Sequence, residues 1–265
     1  MVNWKDLLTG NVATFNQEVE KLAQGEKTML AGADLSGMDL TQANLAGFDL
    51  TGSNLSRAKI KGYHLSTCRL QGTILDGVVL DDDYWRESLK WLGLIWKGAA
   101  EWNAAKVKGV PLILSEAHLS HATFQGHDFS DITFTSGYFV NTRLVGTVLR
   151  ETTFGAATME GAAFEDIHFH DVRMGGANLK GSQWAGLELE HSKLDDADLT
   201  GAVFRNCRIT NVDFCDSVLR NARLENCQLT DCLFYDADLS GARVVDCTFE
   251  NSILENGTVI GMVVS

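Results

Sequence analysis

The chain has 265 residues, is 45% apolar and carries a formal net charge of −13 at pH 7, which allows one or two domains with buried cores. The acidic excess argues against nucleic acid as a direct ligand, because phosphate contacts need Lys and Arg. No apolar run is long enough to cross a membrane or to form a signal-peptide core, so the sequence predicts a cytoplasmic protein without a membrane partner.

Residues 1–29 are predicted to form an N-terminal capping helix. Apolar residues recur at helical spacing within residues 3–23, among them Leu8 and Phe15, and Gly25 is placed to end the helix. The sequence that follows requires a cap, because its repeat predicts a solenoid whose ends would expose unpaired backbone groups.

Residues 30–80 form the first predicted β-helical block, in which an apolar residue occupies every fifth position from Leu30 to Leu80. A period of five fits neither an amphipathic helix nor an ordinary strand, whose periods are about 3.6 and 2. It fits a polygonal coil in which each pentad makes one side and its apolar centre points inward. The corner residue, two after the centre, is often Gly, as at Gly32 and Gly37, because Gly accepts the left-handed backbone of a tight corner.

Residues 81–113 interrupt the repeat and are predicted to form a Trp-rich helical hairpin. Apolar side chains in its first part recur at helical spacing, namely Trp85, Leu89, Leu92 and Trp96. A second short helix follows before the repeat resumes. We expect helix in this chain only over about residues 3–23 and 83–107.

The second part of the insert is predicted to cap the second block. The segment Gly98–Asn103 (GAAEWN) is similar to Gly10–Asn16 (GNVATFN), since each has a Gly and then an aromatic residue followed by Asn, shortly before a first pentad. We infer that residues 97–110 are a second leader. Two β-helical lobes joined by a hairpin are therefore preferred to one continuous rod with the insert looped out, and the sequence alone leaves both arrangements open.

Residues 114–265 form the second, acidic β-helical block. The five-residue spacing runs from Leu114 to Val264 without a break, and all 31 positions are apolar. This block holds 22 acidic and 10 basic residues, so it carries −12 of the net charge. Corner residues sorted at a spacing of 20 give one column rich in Gly and an opposite column without Gly, which indicates four pentads per coil.

Segments such as AGADLSGMDLTQANLAGFDLTGSNL and DDADLTGAVF resemble the pentapeptide-repeat family, and the repeat covers about four-fifths of the chain. The resemblance implies an all-β fold, a right-handed quadrilateral parallel β-helix, to which this chain adds the N-terminal capping helix and the central helical insert. Members of the family include acidic rods that mimic duplex DNA and bind type II topoisomerases in quinolone resistance, and some members are secreted bacterial effectors.

Two surfaces are predicted to bind a protein partner. Surplus aromatic and apolar side chains on a projecting element are typical of interaction sites, and the hairpin has a second apolar face formed by Trp91, Leu94 and Ile95. The Gly-free corner column of the second block is an acidic stripe that would suit a basic surface, with the carboxylates of Asp131, Glu151, Asp171 and Asp231. Each surface has a structural alternative, which is packing for the hairpin and a solvated face for the stripe.

The last pentads of the chain are predicted to form a sticky edge. Residues 258–265 (TVIGMVVS) are almost all apolar, and an open strand edge of that composition favours pairing with a second copy as a symmetric dimer. The candidate dimer-edge residues are Val259, Ile260, Val263 and Val264.

The Cys and His residues are predicted to have structural roles. Cys207, Cys227 and Cys247 lie 20 residues apart and should stack as an inward column, a line of thiols that cannot surround a tetrahedral ion. His168 should lie over Glu188 as a surface pair. No phosphate-binding loop, nucleophile elbow or zinc-binding helix motif occurs, so we predict no metal, no cofactor and no catalytic residue.

The sequence therefore predicts a non-enzymatic protein–protein interaction module or scaffold with a protein partner that it does not identify. The alternative is a DNA-mimic modulator of a type II topoisomerase, and a third reading is a secreted bacterial effector. The chain departs from the topoisomerase-binding group because it has a helical insert instead of short projecting loops and because it lacks a C-terminal dimerising helix.

Overall fold

The computed structural model describes residues 4–22, 27, 30–82, 84–259 and 262–264. The chain divides into two compact units, Met1–Lys97 and Gly98–Ser265. This boundary lies inside the predicted insert, so the first helix of the insert belongs to the first unit and the second helix to the second unit. None of the helices in the described ranges is long and apolar enough to span a membrane.

Five helices lie within the described residues, namely α1 (Trp4–Gly10), α2 (Val12–Val19), α3 (Gly62–Ser66), α4 (Tyr84–Ile95) and α5 (Ala99–Ala105). The N-terminal cap therefore consists of two short helices and not of the single helix that was predicted. Asn11 separates them, because its side-chain oxygen accepts a hydrogen bond from the Thr14 backbone N–H at 3.0 Å and so caps the start of α2.

The strands are two or three residues long, and every ladder between them is parallel. They are β1 (Lys59–Ile60), β2 (Val79–Leu80), β3 (Leu112–Ile113), β4 (Thr123–Gln125), β5 (Ile132–Thr133), β6 (Arg143–Val145), β7 (Val148–Arg150), β8 (Ala163–Glu165), β9 (His168–His170), β10 (Gln183–Ala185), β11 (Glu188–Glu190), β12 (Val203–Arg205), β13 (Arg208–Thr210), β14 (Arg223–Glu225), β15 (Gln228–Thr230), β16 (Arg243–Val245), β17 (Thr248–Glu250) and β18 (Val263–Val264). Two larger sheets line the second unit, one with strands β18-β16-β14-β12-β10-β8-β6-β4 and one with β17-β15-β13-β11-β9-β7.

The coil has four sides and 20 residues. Paired strand residues are 20 apart, as Trp184 and Phe204 are, and backbone N–H groups donate to carbonyls of the next coil, as Leu199 does to Val218 at 2.7 Å. Corner residues take the left-handed backbone that their types predicted, with φ of 54° at Asn206. The parallel β-helix predicted for residues 30–80 and 114–264 is thus confirmed over the part of these ranges that the structure describes, with one exception in the first block.

The core of the second unit is a column of large side chains held by this register. Trp184 lies between Phe164 and Phe204, with ring centroids 4.3 Å and 5.1 Å away, and all three side chains are buried. The indole N–H of Trp184 donates to the Ser182 hydroxyl at 2.7 Å, so its polar atom is satisfied inside the coil. The repeat places these rings in register because each pentad supplies one inward centre to its own side, and every fourth pentad returns to the same side.

The exception is α3, a helical turn inside the first block where the sequence predicted only coil. Leu65 still occupies the central position of its pentad and is buried, but residues Gly62–Ser66 form a helical turn instead of an extended side of the coil. The Gly62 N–H donates to the Asp81 carboxylate at 2.8 Å, and α3 packs against α4. The prediction that helix is confined to about 3–23 and 83–107 is therefore wrong, because a tertiary contact with α4 replaces one corner of the coil.

Gly62 makes this contact possible, and its replacement by Ala is expected to destabilise the first unit. A methyl group at Gly62 would overlap the Trp85 side chain of α4, and overpacking of this kind costs about 1–3 kcal/mol. Thermal unfolding of Gly62→Ala measures the loss. Gly10→Ala is the control, because a methyl group there meets nothing within 4 Å, and an equal loss in both variants would contradict the role of the contact.

Both units begin with the same capping device, an aromatic residue followed by Asn. In the first unit the buried Phe15 ring stacks on Phe48, with centroids 5.8 Å apart. The Asn16 side chain donates to the Gln42 carbonyl at 2.9 Å and accepts from the Asn44 N–H at 2.8 Å. The amide of Asn16 therefore pairs backbone groups on the N-terminal edge of the first coil.

In the second unit Trp102 and Asn103 repeat the device. The buried Trp102 packs edge-on against Phe129 at 5.6 Å, and its indole N–H donates to the Asp128 carbonyl at 2.6 Å. Asn103 donates to the Gly126 carbonyl at 3.0 Å and accepts from the Asp128 N–H at 2.8 Å. The similarity between GNVATFN and GAAEWN thus reflects a shared way of covering the first coil of a unit.

Candidate functional site

The acidic column predicted from the sequence lies along one corner of the second unit. Asp131, Glu151, Asp171 and Asp231 all occupy corner positions with φ between 54° and 59°. The column is not continuous, because His191 and Asn211 stand between Asp171 and Asp231 and their side chains contact each other at 2.7 Å.

Two of the four predicted carboxylates have internal roles. Asp131 accepts from the Gly109 N–H at 3.1 Å and lies 3.9 Å from the ammonium of Lys106, whose side chain is almost fully buried and also faces Asp128 at 3.7 Å. Asp171 contacts the imidazole of His170 at 2.8 Å. Asp131 thus helps to hold the chain after α5 on the first coil, and the free negative charge of this corner is smaller than the sequence predicted.

A denser group of carboxylates lies at a different corner of the second unit. Asp196, Asp216 and Asp236 follow one another in three successive coils, with φ of 56°, 58° and 56°, and all three residues are exposed. Four further carboxylates lie beside them in the same three pentads or their neighbours. We call the seven residues the acidic corner: Asp195, Asp196, Asp198, Asp213, Asp216, Asp236 and Asp238.

The sequence contained the signal for the acidic corner. Each coil has four corners, and sorting all of them at a spacing of 20 places Asp196, Asp216 and Asp236 in one column. Sorting only one opposite pair of corners left these residues scattered over the rod. The acidic corner was therefore not predicted from the sequence.

Local contacts keep part of the acidic corner charged. The pKa of Asp198 is lowered, since hydrogen bonds from Thr200 and Lys180 outweigh the opposing effect of its burial, and the Lys180 ammonium lies 3.0 Å away. Hydrogen bonds from Ser240, helped by Arg220, lower the pKa of Asp238. Both carboxylates are therefore ionised at neutral pH.

Cys215 lies within the acidic corner and stays a thiol. Its burial, a hydrogen bond with Asp213 and the charges of Asp213 and Asp216 raise its pKa to about 11. A thiolate is the reactive form of cysteine, so the raised pKa keeps Cys215 in its less reactive protonated form at neutral pH.

Four of the ten basic residues after Leu114 lie on one sheet. The eight-stranded sheet carries Arg143, Arg205, Arg223 and Arg243 on its strands. Glu165 and Glu225 partly neutralise them, with Arg143 Nε–Glu165 Oε1 and Arg205 Nε–Glu225 Oε2 distances of 2.8 Å each. Arginine side chains thus interrupt the acidic surface of the second unit along this sheet.

Helix α4 presents less apolar surface than the sequence predicted. Ile95 is only 1% exposed and forms a buried arc with Leu89 and Leu92, so it does not lie on an outward face and is withdrawn as a partner-binding candidate. Trp91 and Leu94 are half-buried. The Trp91 indole donates to Glu87 of the same helix at 2.8 Å. Of the three predicted side chains on this face, Trp91 and Leu94 remain candidates for partner binding.

The thiols and imidazoles lie where the spacing placed them. Cys207 and Cys227 are buried, the Cys227 N–H donates to the Cys247 sulfur at 3.3 Å, and all six Cys are free thiols. His168 contacts Glu188 at 3.3 Å. Burial raises the pKa of Cys68 to about 12. Among the described residues, no three His, Cys, Asp or Glu side chains converge in a way that could hold a metal ion.

The predicted dimer-edge residues are exposed where the structure describes them. Val259, Val263 and Val264 are solvent-accessible, and Ile260 lies outside the described residues. Val263 and Val264 form β18, which pairs only with β16 within the described part of the chain. Pairing with a second copy stays a prediction.

Several solved structures are similar to the chain at low identity. QnrB1, a plasmid-mediated fluoroquinolone resistance protein, is 14% identical, with 58% of this chain and 92% of that chain covered and a TM-score of 0.42. HetL, a pentapeptide repeat protein involved in heterocyst differentiation regulation in the cyanobacterium Nostoc sp. strain PCC 7120, is 16% identical, with 93% and 91% covered and a TM-score of 0.28. At these values neither likeness bears on function.

The sequence itself matches two family profiles. The profile described as pentapeptide repeat region matches residues 177–262, and the profile described as pentapeptide repeats (8 copies) matches residues 28–66 and 113–150. No curated protein matches the chain significantly. The matched segments fall on the coils of both units and together cover more than half of the sequence, so the chain belongs to the pentapeptide-repeat family.

Proposed function

We propose that the protein is a non-enzymatic interaction module whose acidic corner docks on a basic surface of a partner protein. The observation that carries the proposal is the stack of Asp196, Asp216 and Asp236, three exposed carboxylates in three successive coils. Opposite charge on a partner would steer the encounter and fix its register on the rod.

The backbone does not require carboxylates at these positions. A left-handed corner is accepted by Asn as well as by Asp, and Asn206, Asn221 and Asn226 occupy such corners in the same unit. Stacked corners lie about 4.8 Å apart, where two unit charges repel by roughly 1 kcal/mol even in water. A stack of Asp thus costs stability without helping the fold, which favours a role in binding.

Neutralising the stack is expected to weaken partner binding about tenfold while the fold stays intact. Three exposed ion pairs contribute about 0.2–1 kcal/mol each, and 1.4 kcal/mol corresponds to a factor of ten. The variant is Asp196→Asn, Asp216→Asn and Asp236→Asn together. The measurement is quantitative mass spectrometry of proteins that the immobilised full chain retains from native lysate at low and high salt, with the melting temperature as the folding control.

A matched variant removes the same charge from the predicted column, by Glu151→Gln, Asp171→Asn and Asp231→Asn. Its capture should stay close to that of the unchanged chain. If this variant loses the partner and the acidic-corner variant keeps it, the interaction surface is the predicted column. If both variants keep the partner at low salt, charge-based docking is wrong.

The same assay addresses the DNA-mimic alternative. A partner that reads the rod as a duplex should be displaced by added double-stranded DNA, whereas a partner that recognises only the acidic corner should be retained. The arginine-bearing sheet favours the second outcome, because a duplex mimic would present phosphate-like charge along more of its surface.

A further inference from the structure

The last coil of the second unit ends in an open apolar funnel. Phe234, Leu239 and Val244 form its buried floor. Its rim exposes large apolar side chains, with Leu254 46% and Val264 67% exposed. The funnel has a volume of about 270 Å³, and no helix within the described ranges lies after Ala105 to cover it. An apolar surface of this kind marks a contact site.

The first unit shows how this chain closes the same kind of end. There the last coil residues Leu75 and Leu80 are half-buried, because α4 lies against them. Arg86, Leu89 and Lys90 of α4 line the small space between helix and coil. An amphipathic helix with an apolar arc and flanking basic residues therefore fits the end of a pentapeptide coil.

The charged residues near the funnel indicate which kind of partner would bind there. The charged residues after Val244 are Asp246, Glu250 and Glu255, all exposed and all acidic, and one exposed cation, Arg243 of β16, lies beside Val263. The net charge at this end is therefore negative. A second copy stacked symmetrically on this end would bring both sets of carboxylates together, and like charges facing each other across an interface are unfavourable. A helix with Lys or Arg beside its apolar arc would instead place opposite charges at the rim.

We propose that the open end of the second unit binds a basic amphipathic helix of a partner protein, with apolar residues spaced as in α4. The proposal rests on the interaction role proposed above but uses a different surface. The apolar arc of the partner helix would pack in the funnel. The carboxylates near the rim would pair with Lys or Arg residues on the polar face of that helix.

Two fluorescently labelled peptides with acetylated and amidated ends test this on the full chain. Both have the sequence of α4 (Tyr84–Ile95), one with Glu87→Lys and the other with Arg86→Glu and Lys90→Glu. We expect the basic peptide to bind at least about tenfold more tightly than the acidic peptide in fluorescence anisotropy, because only the first complements the rim. Equal binding of both peptides, or binding of neither, would overturn the proposal.

Protein variants locate the site. Val264→Lys should weaken the basic peptide about tenfold or more by placing a cation in the funnel, and Val148→Lys, at an exposed valine on another side of the unit, should leave its affinity unchanged. The pair Glu250→Lys and Glu255→Lys should reverse the preference between the two peptides. Sedimentation that finds a dimer dissociated by Val264→Lys would show that a second copy covers this end, as the sequence predicted, and would refute the helix proposal.

Failure here is distinguishable from failure of the proposed function. The acidic-corner variant leaves the funnel residues unchanged, so it should bind the basic peptide as the unchanged chain does. Loss of lysate capture with intact peptide binding would support both surfaces independently.

Discussion

Replacement of Trp102 by Ala should destabilise the second unit by about 3–5 kcal/mol, the range for truncating a buried aromatic side chain. Trp102 is fully buried, contacts Phe129 and donates its indole N–H to the Asp128 carbonyl. The change removes this packing and leaves the carbonyl at the first coil without its donor. Denaturant unfolding measures the loss.

The site of the damage can be read by hydrogen exchange. In Trp102→Ala, amides of residues 126–131 should exchange faster, whereas those around Phe48 in the first unit should not, because coils of a solenoid contact mainly their neighbours. Phe15→Ala should give the converse pattern. Glu101→Ala, at an exposed position on α5, is the control and should stay within about 0.5 kcal/mol. A loss below about 1 kcal/mol in Trp102→Ala would show that the leader does not cap the unit.

Ile95→Ala should cost about 2–5 kcal/mol, as expected for a buried aliphatic side chain. The half-buried Leu94 provides a matched control, since Leu94→Ala removes a side chain of similar size from the next position of α4 and should cost less than half as much. Trp91→Ser should change the free energy of unfolding least, because its indole contacts Glu87 and Lys90 of its own helix. Chemical denaturation of the three variants gives the order, and equal losses would place both faces of α4 in the core.

The pentad pattern predicted the coils because side-chain direction and backbone corner share one period. Leu199 and Phe204 are centres five residues apart, and Gly201 is the corner between them. Because this pattern is local, contacts with distant parts of the chain have little influence on whether a pentad forms a coil side. The α3 turn escaped prediction for the opposite reason, since Gly62 is a normal corner residue and only the contact with Trp85 and Asp81 makes its pentad helical.

The interaction surfaces were only partly predictable. The exposure of side chains along α4 depends on which face of the helix packs against the coil. The sequence predicted a buried face of Trp85, Leu89 and Leu92, whereas the buried residues are Leu89, Leu92 and Ile95. Helical spacing alone does not fix which face is buried, because the apolar residues surround most of the helix. The acidic corner, in contrast, follows from the 20-residue register and was available from the sequence.

The position of the two leaders has a consequence for synthesis. Phe15–Asn16 and Trp102–Asn103 each precede, along the chain, the coil that they cover. The nascent chain therefore presents each leader before the coil that it covers, so the cap can form as soon as that coil has left the ribosome. Each later coil then adds to a ladder that is already formed. Assembly in each unit would proceed from the N-terminal side, as polymerisation proceeds from a seed. The slow nucleation of a parallel sheet would then occur once in each unit, at its leader, and not at every strand.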